Sequence, residues 1–152
     1  YNKTYGMDTI ITRCCNNYGP RQDTEKLLPK VISNALRDID IPVYGKGDNV
    51  REWIYVEDHC KAIWDVYEHG KSGEIYNIGS GEEINNLDLV KTVLSVLKKP
   101  YSLIKFVADR AGHDFRYSID NTKFMSISKE FTFTQFNEGL TRTIEWYKQD
   151  SK

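Results

Sequence analysis

The feature that most limits the fold of this chain is a strand that runs straight into a turn. DTIITRCC, from Asp8 to Cys15, is rich in β-branched residues and stops at Asn16, Asn17, Tyr18, Gly19 and Pro20. It reads as a strand followed by a turn. Thr24 then reads as the cap of a helix in which Leu27, Leu28, Val31, Ile32, Ala35 and Leu36 recur at helical spacing. Pro29 falls in the first turn, where proline is tolerated, and the helix ends near Asp38.

The same alternation continues along the chain. IPVY and REWIYV flank a Gly-x-Gly turn and read together as a β-hairpin. Glu57 or Asp58 opens a helix whose apolar stripe is Cys60, Ile63, Trp64, Val66 and Tyr67. GEIYNIGSG supplies a strand and a glycine-rich exit, Asn85 or Asn86 caps LDLVKTVLSVLKK, and Pro100 stops that helix. A strand LIKFVA, a polar loop DRAGHDFR, a short piece YSID and two helical stretches, around 122–131 and 136–149, complete the chain. There is no internal repeat and no long linker. The pattern is α/β or α+β, but only three or four strands have flanking helices, too few for a complete dinucleotide-binding half.

Composition removes several function classes. A chain of 152 residues can build one domain around its own core without a staple. With 21 basic and 22 acidic residues, the net charge of -1 offers no broad field for gripping nucleic acid or an anionic membrane, so any bound anion needs a local pocket. No apolar run approaches the ~20 residues that cross a bilayer, and YNKTYG carries no signal-peptide stretch. The reading is a cytoplasmic protein. Cys14, Cys15 and Cys60 are odd in number and lack CxxC spacing, which argues against a disulfide framework or a metal site. If the first strand reaches them, Cys14 and Cys15 point to opposite sides, one to the core and one to a site.

Six segments, in order, carry a family resemblance: NNYGP at 16–20, EKLLP at 25–29, PVYGKG at 42–47, REWIYVEDH at 51–59, YNIGSG at 76–81 and ADRAGHDFRYSID at 108–120. Together they resemble the nucleotide-sugar dehydratases and epimerases of the extended short-chain dehydrogenase/reductase superfamily, with the dTDP-glucose 4,6-dehydratases nearest. The resemblance implies an α/β fold over residues 1–152: the C-terminal part of such an enzyme, with the end of the Rossmann sheet and a small α/β substrate domain. In that family a GxxGxxG turn binds NAD, a Tyr-x-x-x-Lys pair activates the sugar hydroxyl, and an acidic pair promotes loss of water. None of the three motifs is found in this sequence in a fitting context, so no catalytic residue is assigned to this chain. Alignment of Thr4 to Gly6 with the family places the NAD-binding half upstream of residue 1.

For the substrate, the resemblance implies Asn16, Lys26, Leu27, Pro42, Val43, Tyr44, Arg51, Asn86, Arg110, His113 and Tyr117; for the nicotinamide side of the cofactor it implies Asn17. The chemistry suits a sugar nucleotide. Arg51 and Arg110 can each give paired charge-assisted hydrogen bonds to a pyrophosphate, which lysine cannot reproduce. Lys26 and Leu27 open a helix, where backbone N–H groups and a cation meet an anion. Pro42, Val43 and Tyr44 resemble a shelf for the base, and His113 offers a ring N–H to the pyrophosphate. Ala111 stands where the family has proline, which removes backbone stiffness from that loop.

These readings converge on the sugar-nucleotide-binding part of an NAD-dependent dTDP-glucose 4,6-dehydratase, inactive alone. An epimerase or decarboxylase of a UDP- or CDP-sugar and a non-catalytic nucleotide-sugar-binding module are the alternatives. A parallel strand without its neighbours exposes an edge. The expected partners are therefore a dTDP-sugar and either a second copy of the chain or an upstream cofactor half.

Overall fold

A computed structural model describes residues 1–150; the last two residues of the region expected over 1–152 lie outside it. After a single turn of helix, α1 (Asn2–Tyr5), come β1 (Ile11–Cys14), β2 (Asn16–Tyr18), α2 (Leu27–Leu36), β3 (Ile41–Tyr44) and β4 (Val50–Tyr55). Then follow α3 (Val56–His69), β5 (Ile75–Ile78), β6 (Glu83–Asn85), α4 (Asn86–Leu97), a 3-10 turn at Tyr101–Leu103 and β7 (Ile104–Val107). The chain closes with β8 (Arg116–Tyr117), α5 (Thr122–Ile127) and α6 (Phe136–Asp150). Parallel pairs β1–β5 and β3–β7 flank a central sheet in which β4 pairs with β2 and β8 in parallel and with β6 antiparallel.

β4 is the common wall of two cores, because successive side chains of a strand point to opposite faces. Trp53 and Tyr55 join Tyr18, helices α2, α4 and α6 and strand β3 in one cluster. Ile54 joins Cys15, Ala62, Val66, Tyr76, Ile78 and Phe124 in the other.

Four expectations change. The first strand does not end in a turn at Asn16: the chain shifts sheets at Cys15, and Asn16–Tyr18 pair with Trp53–Tyr55, so the turn begins only at Gly19. Thr24 does not cap α2, because the Asp23 carboxylate takes the Glu25 N–H at 2.9 Å and holds a turn there; the helix opens after Lys26 and ends at Leu36. β3 and β4 are not a hairpin. Gly45 and Gly47, both at positive φ, turn the chain out of β3, and the carbonyls of Gly47 and Asn49 accept from Leu87 and Asn86 at the start of α4. β3 pairs instead with β7, and Pro42, lacking an N–H, suits a strand bonded along one edge.

The fourth change concerns α3. Of the expected apolar stripe only Val66 is buried; Cys60, Ile63, Trp64 and Tyr67 are exposed. The inward face is Asp58, Ala62 and Val66. The Asp58 carboxylate accepts the Thr134 N–H at 2.6 Å, so a charged residue takes a place that hydropathy assigns to an apolar one.

Candidate functional site

The elements meet around a cavity of about 600 Å³. The β1–β2 junction contributes Cys15, Asn16 and Asn17, and the following loop Gln22. The start of α2 contributes Lys26, Leu27 and Lys30, with Glu25 before it. β3 gives Pro42 and Tyr44, β4 gives Arg51 and Trp53, α4 gives Asn86 at its first residue, and the 108–115 loop gives Arg110 and His113. Val43 is not among them; alternation turns it into the core at 3% exposure. Tyr117 also lies outside, with its hydroxyl 3.4 Å from the Cys14 carbonyl oxygen.

Local structure explains these positions. Asn85 caps α4 by accepting the Asp88 N–H at 2.8 Å, which fixes Asn86 at the helix start. Arg51 donates from Nη1 to its neighbour Val50 and from Nη2 to Asp114, both at 2.7 Å to carbonyl oxygens, and Asn49 Nδ2 reaches the same Asp114 oxygen at 3.1 Å. The loop is thereby tied to β4 beside the cavity.

Arg110, His113 and Tyr44 form one cluster. The guanidinium carbon of Arg110 lies 5.0 Å from the Tyr44 ring centroid, at cation–π distance, and His113 meets the same ring edge-on. Arg110 Nη2 stands 2.8 Å from His113 Nε2, and His113 Nδ1 stands 2.7 Å from Asp109 Oδ1. A guanidinium only donates, so Nε2 accepts and Nδ1–H donates to Asp109. That bond and the Arg110 backbone N–H hold the Asp109 carboxyl below the usual carboxylate range. His113 thus has no ring N–H free for an anion in this state, in contrast to the donor expected of it; its ring holds Arg110.

Six buried side-chain polar atoms have no hydrogen-bond partner among the described residues, and four of them belong to residues lining this cavity: Asn17 Oδ1, Gln22 Oε1, Trp53 Nε1 and Asn86 Oδ1. A buried polar group left unpaired costs about 1–3 kcal/mol. Three acceptors and one donor stand beside cationic side chains, so the cavity can pair with hydroxyl or amide N–H groups and with anionic oxygens. Trp53 and Lys30 were legible in principle: Trp53 shares the face of Arg51 by strand alternation, and Lys30 stands one helical turn beyond Lys26. Gln22 sits in a loop with no pattern. Cys15 is buried against the cavity, and desolvation, then the nearby Glu52 charge, pushes its thiol up to about 12.

A second, more open depression of about 920 Å³ lies between α3 and residues 126–132, away from every residue of this cluster.

The sheet ends and the cavity define an α/β chain with a polar pocket lined by Lys26, Lys30, Arg51 and Arg110. A sequence model of the NAD dependent epimerase/dehydratase family matches residues 1–79, and the chain belongs to that family. It is 43% identical over 148 residues to a dTDP-glucose 4,6-dehydratase of Actinoplanes sp., covering 97% of this chain and 46% of the relative. It is 47% identical over 152 residues to the low-salt glycan biosynthesis protein Agl12 of Haloferax volcanii, covering 100% of this chain and 49% of that protein. The crystal structure of the dTDP-glucose 4,6-dehydratase DesIV from Streptomyces venezuelae, with NAD and TYD bound, superposes with a TM-score of 0.91 at 46% identity, covering 99% of this chain and 47% of that one. The chain spans about half the length of the curated relatives it matches, in their C-terminal part.

Proposed function

We propose that this chain is the sugar-nucleotide-binding portion of a dTDP-glucose 4,6-dehydratase, acting on dTDP-glucose with NAD as the redox partner. The observation that carries the reading is the cavity in which Arg51, Arg110, Lys26 and Lys30 converge with four unpartnered buried polar atoms. The arginines and lysines suit a pyrophosphate. Tyr44 and Pro42 suit a base, and the acceptors of Asn17, Gln22 and Asn86 suit hydroxyls and amide N–H groups. Val43 supports the base shelf from the core, and Tyr117 borders the site from outside.

NAD, when bound, supplies the hydride chemistry of oxidation and re-reduction. This sequence has no glycine-rich turn for its pyrophosphate. One feature fits it: the buried Asn17 Oδ1 lacks a donor that a carboxamide N–H could provide. The role of the chain is to hold and orient the nucleotide sugar, which lowers the entropic part of the barrier without performing a bond change. Turnover would require residues from a cofactor half, and β1 together with the exposed face of α3 is the surface such a half or a second copy would cover. Among the described residues no helix is long and apolar enough to cross a membrane, and the reading places the protein in the cytoplasm.

Isothermal titration with dTDP, UDP and NAD tests the proposal. Binding of dTDP in preference to UDP, with little NAD affinity, is the expected result; tight NAD binding without dTDP binding would overturn it.

A further inference from the structure

Glu52 sits between two cavity residues of β4, Arg51 and Trp53, and turns the other way. It is 0% exposed. A carboxylate removed from water is tolerable only where donors meet its oxygens. Oε1 accepts the Gly81 N–H at 2.8 Å, Oε2 accepts the Ile119 N–H at 2.8 Å, and Ser118 Oγ lies 3.2 Å from Oε2. The single hydroxyl hydrogen of Ser118 is shared with Glu83, whose Oε1 is nearer at 2.9 Å, so the two backbone N–H groups are the main partners.

The slot is fitted on its remaining side as well. A Cβ on Gly79 would lie 2.3 Å from Glu52 Oε1 and 2.4 Å from Ile119 Cγ2. β8 pairs with β4 only at Val50–Arg116 and Arg51–Tyr117. Where that ladder stops, the Glu52 side chain takes up the next available N–H.

We propose that Glu52 is a positioning residue for the anion-binding loop. By fixing Ser118–Ile119 against β4 it sets where Arg110 and His113 stand relative to Arg51. The loop is held from two faces of one strand: Arg51 and Asn49 grip the Asp114 carbonyl on the cavity side, and Glu52 grips Ile119 on the far side. Glu52 does not line the cavity and does not touch the ligand. The inference rests on the nucleotide-binding reading above.

Glu52→Gln keeps the size of the side chain and turns one acceptor oxygen into an NH2 group facing a backbone N–H. Amide exchange over residues 109–119 should rise about tenfold while α2 and α4 keep their protection. The Kd for dTDP should rise about tenfold in the folded protein, because binding must then also order the loop that carries Arg110. With Arg110→Ala already in place, the same substitution should change Kd by less than about twofold, because coupled residues are non-additive. A role in stability alone would lower Tm and leave Kd unchanged; that result, or equal losses in both backgrounds, overturns the proposal. A wild-type chain without dTDP affinity would refute the nucleotide reading instead, and the exchange measurement then decides alone: acceleration at 109–119 upholds the clamp and its absence overturns it. If Glu52→Gln fails to fold, Glu52→Asp carries the same measurements: one methylene shorter, it draws the carboxylate back from the Ile119 N–H, so loop exchange several-fold faster upholds the clamp and no change overturns it.

Discussion

Arg51 reaches from β4 to the backbone of the 108–115 loop, its Nη2 donating to the Asp114 carbonyl oxygen at 2.7 Å while Nη1 is held by Val50. Two carbonyls thus hold the guanidinium of a residue that lines the cavity. Arg110 is held differently, by the Tyr44 ring and His113.

Arg51→Ala and Arg110→Ala should each weaken dTDP binding by about 1.5–3 kcal/mol, the loss typical of a charge-assisted hydrogen bond. Lysine at position 51 should recover only part of this, since an ammonium cannot grip two carbonyls and a phosphate in one plane. Calorimetric titration of the three variants checks it, and an unchanged Kd in both alanine variants would make the two arginines structural.

The sequence showed the long elements because burial there follows a period. α2, α4 and α6 carry their apolar residues at helical spacing, and β5 and β7 are short apolar runs. β2, β6 and β8, at two or three residues each, exist only because β4 supplies hydrogen-bond partners, so no local pattern announces them. The same applies to the inner face of α3, where Asp58 is buried through its bond to Thr134, 76 residues away. At the cavity, Arg51 and Arg110 were legible through family segments, and Asn86 through the overall resemblance and its place at a helix start. Gln22 was not, since its place depends on tertiary closure: its side chain donates to the Asn17 carbonyl at 2.8 Å.

The three thiols should separate by reactivity. Cys60 is exposed on α3, Cys14 is half-buried with its sulfur 3.2 Å from Asn17 Nδ2, and Cys15 is buried with its thiol pushed up to about 12 by desolvation. The thiolate is the nucleophile. Iodoacetamide at pH 8 should therefore label Cys60 first and Cys15 only after denaturation, as read by peptide mass spectrometry. Labelling of native Cys15 at the rate of Cys60 would contradict its burial.

His59 gives a pH dependence with a definite sign. Burial lowers its pKa below the ordinary value, and its Nε2 has no partner among the described residues. The unfolded chain then takes up a proton that the folded chain refuses, so stability falls as pH drops below about 6.5 towards the folded pKa. Acidic groups act lower: Asp109, Asp120, Glu74 and Glu83 have depressed values, and their contribution is lost only as pH falls through the folded carboxylate range. His59→Gln should flatten Tm between pH 7 and 5 without changing the steeper loss below about pH 4. Equal slopes in both proteins across the upper window would show that His59 titrates as an exposed group.

The exposed side of the β1–β5 pair should drive association. Parallel sheets are ordinarily covered on both faces, and a two-stranded sheet gains little stability by itself. Among the described residues β1 has no partner beyond β5, and its Ile11 is 54% exposed. On α3, Trp64 and Tyr67 are 59% and 74% exposed and lie ring to ring, with centroids 5.3 Å apart. Apolar surface in this amount marks a contact site or an aggregation hazard. Light scattering should report species heavier than the 17.7 kDa chain at micromolar concentration, and an apolar dye should bind. Trp64→Glu should shift the distribution towards monomer, because a charge opposes the burial of that face. A wild-type chain that stays monomeric and binds no dye would show that α3 and β1 need no cover.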